Sequence, residues 1–233
     1  MLDARDDVVT AGPVPCGVAR HEPGEPPVTP PGYPFKAERD VRIRDGRCVH
    51  VRPIRPDDAP RLVAFHSSLS PQSVYLRFFN FHPVLTAREV ERFTHVDYAD
   101  RLALVVLSGG RLVAVGRYDR VEGTDEAEVA FVVADGFQHQ GIGTLLADEL
   151  ARAARVQGIR VFAADTLPEN VPMLEMFRGT GFPVETRFEE GVVKVRFSIE
   201  PVPAYLEALA RREASRVVDP ADADRGEGTG VPC

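Results

Sequence analysis

Apolar and polar residues change their spacing several times along the middle of the chain, and each spacing predicts an element. Residues 41–52 alternate on either side of Asp45-Gly46, a pair suited to tight turns, which predicts a β-hairpin. Over 141–157 the apolar residues recur every three or four positions, which predicts an amphipathic helix that stops at Gly158. Alternating or continuous apolar runs predict further strands over 102–108, 111–118, 127–133, 159–164 and 192–199.

Capping residues predict the shorter helices. Ser70 stands before a proline at a helix start, and Thr86 is followed three residues later by a glutamate, as in a capping box. Asp57 or Asp58 is expected to cap a helix that runs to about residue 67. Two more helices are expected over 168–177 and 203–217.

The order of these elements predicts an α+β fold. A helix over 141–157 that lies between two strands makes a βαβ unit with one parallel pair, and the other strands follow one another closely enough to be antiparallel. We therefore expect a mixed, mostly antiparallel central sheet flanked by helices, with one parallel βαβ crossover. Residues 1–38 form a proline-rich arm that we expect to be flexible, 39–200 the folded domain, and 201–233 a C-terminal helix and tail.

Composition narrows the class of protein. The 233 residues carry a net charge of -7, which argues against nucleic-acid binding because that needs a basic surface. The three cysteines have no zinc-ligand spacing, so no metal is expected. There is no signal-peptide pattern and no apolar run of the ~20 residues that would span a bilayer. We therefore expect a cytoplasmic protein without membrane contact.

The loop from Gln138 to Thr144 carries the most chemical information. It joins a buried strand to a long helix and places Gly141 and Gly143 at the helix start. The first amides of a helix lack acceptors and lie at the positive end of its dipole, so such a start favours phosphate oxygens. Taken alone, two glycines at this spacing could equally be capping or packing residues.

This loop, Gln138-x-x-Gly141-x-Gly143, resembles the acyl-CoA pyrophosphate loop of the GNAT superfamily of N-acetyltransferases. The segments 52–59 and 70–79 are similar to the GNAT domain of bacterial Pat-type protein-lysine acetyltransferases, and the resemblance covers about 41–199. It implies acetyl-CoA as co-substrate and an oxyanion donor at the backbone N–H of Val133. The coenzyme-binding residues that it implies are Phe131, Val132, Val133, Gln138, His139, Gln140, Gly141, Ile142, Gly143, Thr144, Asn170, Met173 and Phe177.

Glu128 is the predicted general base. Acetyl transfer to an amine needs one, because an alkyl ammonium with a pKa near ~10.4 is almost fully protonated at neutral pH. Strand alternation gives Glu128 the same face as Ala130 and Val132, and the matching glutamate is the base in the Pat-type enzymes that the chain resembles. Two alternatives stay open: Glu126 is a rival on the same face, and Glu128 could be merely solvated at the strand's exposed end.

The chain lacks the residue that serves as general acid in many GNAT enzymes. Many GNAT enzymes protonate the leaving thiolate with a tyrosine on the later helix, where this chain has Phe177. Our leading hypothesis is acetylation of a lysine ε-amine on a protein, such as an acyl-CoA synthetase. One alternative acceptor is a small-molecule amine. A second alternative, of a different class, is a non-catalytic acyl-CoA sensor.

Overall fold

Eight strands form one sheet in the computed structural model, which describes residues 30–216 of the chain. Their spatial order is β1-β2-β3-β4-β5-β6-β8-β7, with β5 and β6 parallel and every other neighbouring pair antiparallel. The predicted fold class is therefore confirmed. The strands are β1 (Arg39–Arg42), β2 (Cys48–Pro53), β3 (Arg101–Ser108), β4 (Arg111–Arg120), β5 (Glu126–Val133), β6 (Val161–Thr166), β7 (Val184–Glu189) and β8 (Val192–Ser198).

Six helices flank the sheet within the described residues, and the predicted caps at Ser70 and Thr86 are confirmed. The Ser70 hydroxyl accepts the N–H of Ser73 at 3.2 Å, and Thr86 forms a capping box with Glu89. Residues 1–29 of the predicted arm and the tail beyond 216 lie outside the described residues. For residues 30–38 the prediction of a flexible arm is wrong, because Phe35–Ala37 form a 3-10 turn and the buried Tyr33 donates from its hydroxyl to the carbonyl oxygen of Pro53 at 3.2 Å. The helices are α1 (Ala59–Ser68), α2 (Pro71–Phe78), α3 (Ala87–Thr94), α4 (Ile142–Val156), α5 (Val171–Gly179) and α6 (Pro203–Arg216).

The prediction that Asp57 or Asp58 caps α1 through its side chain is wrong, because Asp58 is the N-cap residue but its side chain makes no capping bond to the helix. A short 3-10 turn over Pro56–Asp58 precedes the helix, and the Asp58 carboxylate is fully buried. Two nitrogens of the Arg52 guanidinium donate to its two oxygens at 2.6 Å each, and the backbone N–H of Arg55 donates at 2.9 Å. The aspartate therefore ties β2 to the start of α1 through a buried ion pair.

The sheet has an apolar core on each face. On one face α4 packs its residues Leu145, Leu146 and Leu150 against the sheet, and Phe131 of β5 belongs to the same cluster. On the other face α1, α2 and α3 cover a second cluster that includes Ile54, Leu62, Phe65, Val105 and Val115. Strand β5 runs through the middle of the sheet, so its side chains alternate between these two cores.

Helix α6 packs against the domain. The Tyr205 ring stacks on Phe182 with centroids 4.0 Å apart. Gly181 has φ +88° and approaches so closely that a Cβ there would lie 2.7 Å from the carbonyl oxygen of Ala204. Further along the helix, the Arg212 guanidinium donates to both oxygens of Asp148 on α4, at 2.8 and 3.1 Å. The segment that we assigned to a C-terminal helix is thus one wall of the folded unit.

None of the helices within residues 30–216 combines the length and apolar character needed to cross a bilayer.

Candidate active site

Strands β5 and β6 separate shortly after they meet. They pair at only three positions, Glu126 with Val161, Ala127 with Phe162, and Glu128 with Ala163. Residues 129–133 of β5 keep β4 on one side, whereas β6 continues beside β8. On the side of β6, more than half of β5 is therefore an open strand edge in the middle of the sheet.

This opening forms part of a cavity of about 780 Å³. Phe131, Val132 and Val133 of β5 form one wall, and the first turn of α4 forms another. Helix α5 lines the cavity along its whole length, from its N-cap to its last residue. Helix α2 lines it from the opposite face of the sheet, and α6 lines the rim near the end of α5. The cavity is therefore continuous from the start of α4 through the gap in the sheet to the face that carries α2.

The backbone amides of Phe131 and Val133 point into this gap. The N–H of Ala134 donates to the carbonyl oxygen of Val113 at 2.8 Å, so Ala134 faces β4. Because backbone groups alternate in direction along a strand, those of Val133 and Phe131 face away from β4. The Val133 carbonyl oxygen accepts a hydrogen bond from Gln138 Nε2 at 3.2 Å, which agrees with that direction. The Val133 N–H has the orientation that an oxyanion donor at this position requires.

The predicted phosphate loop leads into the first turn of α4 as expected. Gly141 is the N-cap residue with φ +79°, a left-handed conformation that favours glycine. At Gly143 a Cβ would lie 3.0 Å from Cγ of Met176, so the glycine allows α4 and α5 to approach each other closely. The amides that open α4 have no acceptor inside the helix and lie at its positive end.

Arg44 is a residue of this loop region that the sequence analysis missed. It follows β1, and its Nη1 donates to the carbonyl oxygen of His139 at 3.3 Å. Its Nε lies 3.7 Å from where a Cβ on Gly141 would stand, and Arg44 lines the cavity. The contact joins positions 95 residues apart, so no local pattern could have indicated it.

The side-chain amide of Gln138, a residue that the resemblance assigns to coenzyme binding, is engaged away from the start of α4. Its Nε2 donates to the carbonyl oxygen of Val133 and to the Ser73 hydroxyl, each at 3.2 Å. Asp135 strengthens the same junction, since its carboxylate accepts from both hydroxyls of Ser70 and Ser73, at 2.7 and 2.8 Å. Burial alone would raise the pKa of Asp135, but these hydrogen bonds outweigh it and hold the pKa below its usual range. The loop and α2 are therefore joined by one hydrogen-bond network.

Glu128 lies at the vertex where β5 and β6 diverge, because it is the last β5 residue that pairs with β6. Its side chain is exposed and does not line the cavity. The rival Glu126 is ion-paired with Arg196 at 2.8 Å. Glu128 has no such partner among residues 30–216, so of the two its carboxylate is the one available to accept a proton.

Arg77 is a second cation that the sequence analysis did not assign to the site. It projects from α2, lines the cavity, and also borders a small adjoining pocket beside Arg117. Burial, together with the charge of Arg117, lowers the pKa of Arg77 to about 10, so its guanidinium stays protonated at neutral pH. A positive charge is therefore present on the α2 side of the cavity.

Comparison with known proteins shows the family. Residues 70–182 match the acetyltransferase (GNAT) family. The structure superimposes on the GNAT domain of PAT from S. lividans with a TM-score of 0.68 and 44% identity, over 71% of this chain and 99% of that domain. The chain belongs to the GNAT family of acetyltransferases.

Two further relatives of this GNAT chain are longer proteins. Acetyltransferase Pat from Mycolicibacterium smegmatis is 33% identical over 166 residues, which is 70% of this chain and 49% of that protein. The chain thus spans about half the length of that relative. A cAMP-binding acyltransferase from Mycobacterium smegmatis gives a TM-score of 0.52 at 28% identity, over 77% of this chain and 54% of that structure.

Most of the predicted coenzyme residues of the GNAT domain meet at the cavity, but two do not. Gln140 and Phe177 are outside its lining. Phe177 is buried in the core, where its ring packs against Phe131 with centroids 5.9 Å apart. Within residues 30–216 no group of histidine, cysteine, aspartate or glutamate side chains could hold a metal ion. The predicted residues that line the cavity are Phe131, Val132, Val133, Gln138, His139, Gly141, Ile142, Gly143, Thr144, Asn170 and Met173.

Proposed function

We propose that the protein is an N-acetyltransferase that moves the acetyl group of acetyl-CoA to a lysine ε-amine of a protein. The observation that carries the proposal is that the start of α4 and the open edge of β5 line the same cavity. An anion-binding helix start and an adjacent row of free backbone groups match the two polar parts of an acyl-CoA, its diphosphate and its amide-containing arm.

The diphosphate binds at the first turn of α4, where Gly141 has no side chain to cover the backbone. Arg44 supplies a positive charge beside the diphosphate, next to His139. The Gln138 side chain does not contribute there, because it is hydrogen-bonded to the carbonyl oxygen of Val133. The arm then runs along β5 and hydrogen-bonds to its open edge. This path brings the thioester carbonyl to Val133, whose N–H stabilises the oxyanion that forms during attack.

The reaction is a direct transfer. The neutral lysine amine attacks the thioester carbon, a C–N bond forms, and the C–S bond breaks to release CoA. Glu128 accepts the proton that the amine loses through a relay of water molecules, because its carboxylate stands outside the cavity wall and five residues along β5 from Val133. Solvent returns a proton to the CoA thiolate, since no tyrosine or cysteine lines the cavity in the described part of the chain.

The acceptor is a lysine on a protein surface. The similarity to the GNAT domain of S. lividans PAT and to Acetyltransferase Pat supports this assignment. So does the exposure of Glu128, because a base at the surface can be reached by a side chain that another protein presents. An acyl-CoA synthetase is the acceptor that we would test first.

Glu128→Gln tests the base, with Glu126→Gln as the matched control. We expect thiol release from acetyl-CoA with a protein acceptor to fall at least about 100-fold at neutral pH in Glu128→Gln. Affinity for CoA should be unchanged, because the residue is outside the cavity lining. Glu126→Gln should stay within a few-fold of the parent. Full turnover in Glu128→Gln would remove this residue from the role.

Mass spectrometry tests the acceptor. The protein is incubated with acetyl-CoA and either an acyl-CoA synthetase, a cell extract or a panel of small amines. New acetyl-lysines on proteins are the expected result. Acetylation confined to the small amines would refute the lysine assignment. CoA binding by calorimetry without thiol release from any acceptor would instead indicate a non-catalytic binding module.

A further inference from the structure

The cavity continues beyond the start of α4 to a rim that is built by α6. Ala208, Arg211 and Arg212 line it there, opposite Gly179 at the end of α5. The family match ends at residue 182, so this rim lies outside the matched part of the GNAT domain. The position of α6 is fixed by the Phe182–Tyr205 stack and by the contacts of Arg212.

The two neighbouring arginines of α6 differ in what they contact. Arg212 donates to both oxygens of Asp148 and also to the carbonyl oxygens of Gly179 and Thr180, at 2.9 and 3.1 Å. Its guanidinium is therefore engaged in holding α6 in place. Arg211 is exposed, lines the same cavity, and has no hydrogen-bond or ion-pair partner within residues 30–216. It is the cation on this rim that a ligand can use.

The distance along α4 indicates which part of a ligand would reach Arg211. Asp148, the partner of Arg212, is five residues beyond Gly143, which is about 7.5 Å at 1.5 Å per residue. The anchor point of Arg212 therefore lies more than one helical turn beyond the proposed diphosphate position, and Arg211, the preceding residue of α6, lines the cavity at this rim. The acyl arm leaves that position towards β5, so the adenosine half must leave it in the other direction, towards α5 and α6.

We infer that Arg211 binds the 3′-phosphate of coenzyme A, an inference that rests on the proposed function. The 3′-phosphate is a terminal phosphomonoester, which carries close to two negative charges at neutral pH because its second pKa is near ~6. An arginine can bind two of its oxygens at once. The helix that follows the matched domain would thus make the protein select CoA over its 3′-dephospho form.

Calorimetry on the full chain tests the inference with two ligands, CoA and 3′-dephospho-CoA. The parent should bind CoA about tenfold more tightly than 3′-dephospho-CoA, the gain typical of a charge-assisted contact at a solvent-exposed rim. Arg211→Gln should lose this preference, while its affinity for 3′-dephospho-CoA stays within twofold of the parent. Arg187→Gln, which removes the same charge from the exposed strand β7 outside the cavity, should behave as the parent does.

Three results would overturn the inference. The parent could bind the two ligands equally tightly, Arg211→Gln could still bind CoA more tightly than 3′-dephospho-CoA, or Arg211→Gln could lose affinity for both ligands to the same extent. A parent that binds neither ligand would instead refute the proposed coenzyme itself. Arg211→Lys should keep part of the preference, since it retains the charge but not the paired donors. Circular dichroism of each variant checks that α6 still forms.

Discussion

Replacing Arg212 by methionine should destabilise the protein without changing the residues that form the active-site wall on β5. Methionine retains most of the apolar stem but removes the guanidinium that joins α6 to α4 and to the end of α5. Asp148 is 1% exposed and the Arg212 side chain 14% exposed, so the charges interact largely away from water. The pair therefore differs from a surface ion pair, which contributes less than about 1 kcal/mol.

The expected loss is about 3 kcal/mol of unfolding free energy. Removing one partner of a fully buried pair costs about 3–5 kcal/mol, and the partial exposure of Arg212 places this pair at or below the lower limit. The change also removes the hydrogen bonds from Arg212 to the carbonyl oxygens of Gly179 and Thr180. Each contributes about 1 kcal/mol to the unfolding free energy, and water that hydrates the freed carbonyl oxygens recovers part of this loss. For a chain of this size each kcal/mol lowers Tm by about 2–4 °C, so Tm should fall by about 6–12 °C.

Urea unfolding followed by circular dichroism measures the loss, and Arg211→Met is the matched control. Arg211 is the adjacent residue on the same helix but is exposed, so its replacement should change stability by less than about 0.5 kcal/mol. Asp148→Asn combined with Arg212→Met should cost less than the sum of the two single changes. A loss below about 1 kcal/mol for Arg212→Met, or an equal loss for Arg211→Met, would refute the reasoning.

Two further predictions concern a glycine and a histidine. In Gly116→Ala the new methyl carbon would lie 3.0 Å from the Phe131 ring and 3.1 Å from Cβ of Leu146, so urea unfolding should show a loss of about 1–3 kcal/mol. Gly136→Ala, which has nothing within 4 Å, should be nearly neutral, and an equal loss there would contradict the packing argument. Burial, with the charge of His82, lowers the pKa of His66 from its usual 6.5, so the unfolded chain binds this proton more readily. Stability should therefore fall as the pH drops below about 6.5, with a smaller fall in His66→Leu; identical pH profiles for the two proteins would exclude His66 as a source.

The sequence predicted the elements whose signals are local. The caps at Ser70 and Thr86, the turn at Gly46 and the long amphipathic helix each depend on residues a few positions apart, and the structure confirms them. Strand β7 was missed because five of its six residues are exposed and its first is only partly buried. An edge strand of this kind has no apolar face, so it leaves no alternating pattern to detect.

Most of the candidate site that could be predicted follows one segment of the chain, and the resemblance to the family added Asn170 and Met173 at the start of α5. The loop before α4 and the open part of β5 are consecutive in sequence, which is why most of the predicted residues meet at one cavity. Arg44, Arg77 and Arg211 reach that cavity from a hairpin and two other helices, and their approach depends on tertiary packing. The sequence left the exposure of Glu128 open for a related reason, because alternation along a strand gives a side chain's face but not what covers that face.

The early divergence of β5 and β6 also places an unpaired strand edge at an unusual position in the sheet. An unpaired strand edge is normally a place where another chain can add a strand, and proteins protect such edges with charges, prolines or bulges. Here the unpaired edge lies in the middle of the sheet, and α4 and α5 stand beside it. The fold thus offers unpaired backbone groups of a central strand to a ligand, at a place flanked by helices rather than at the open border of the sheet.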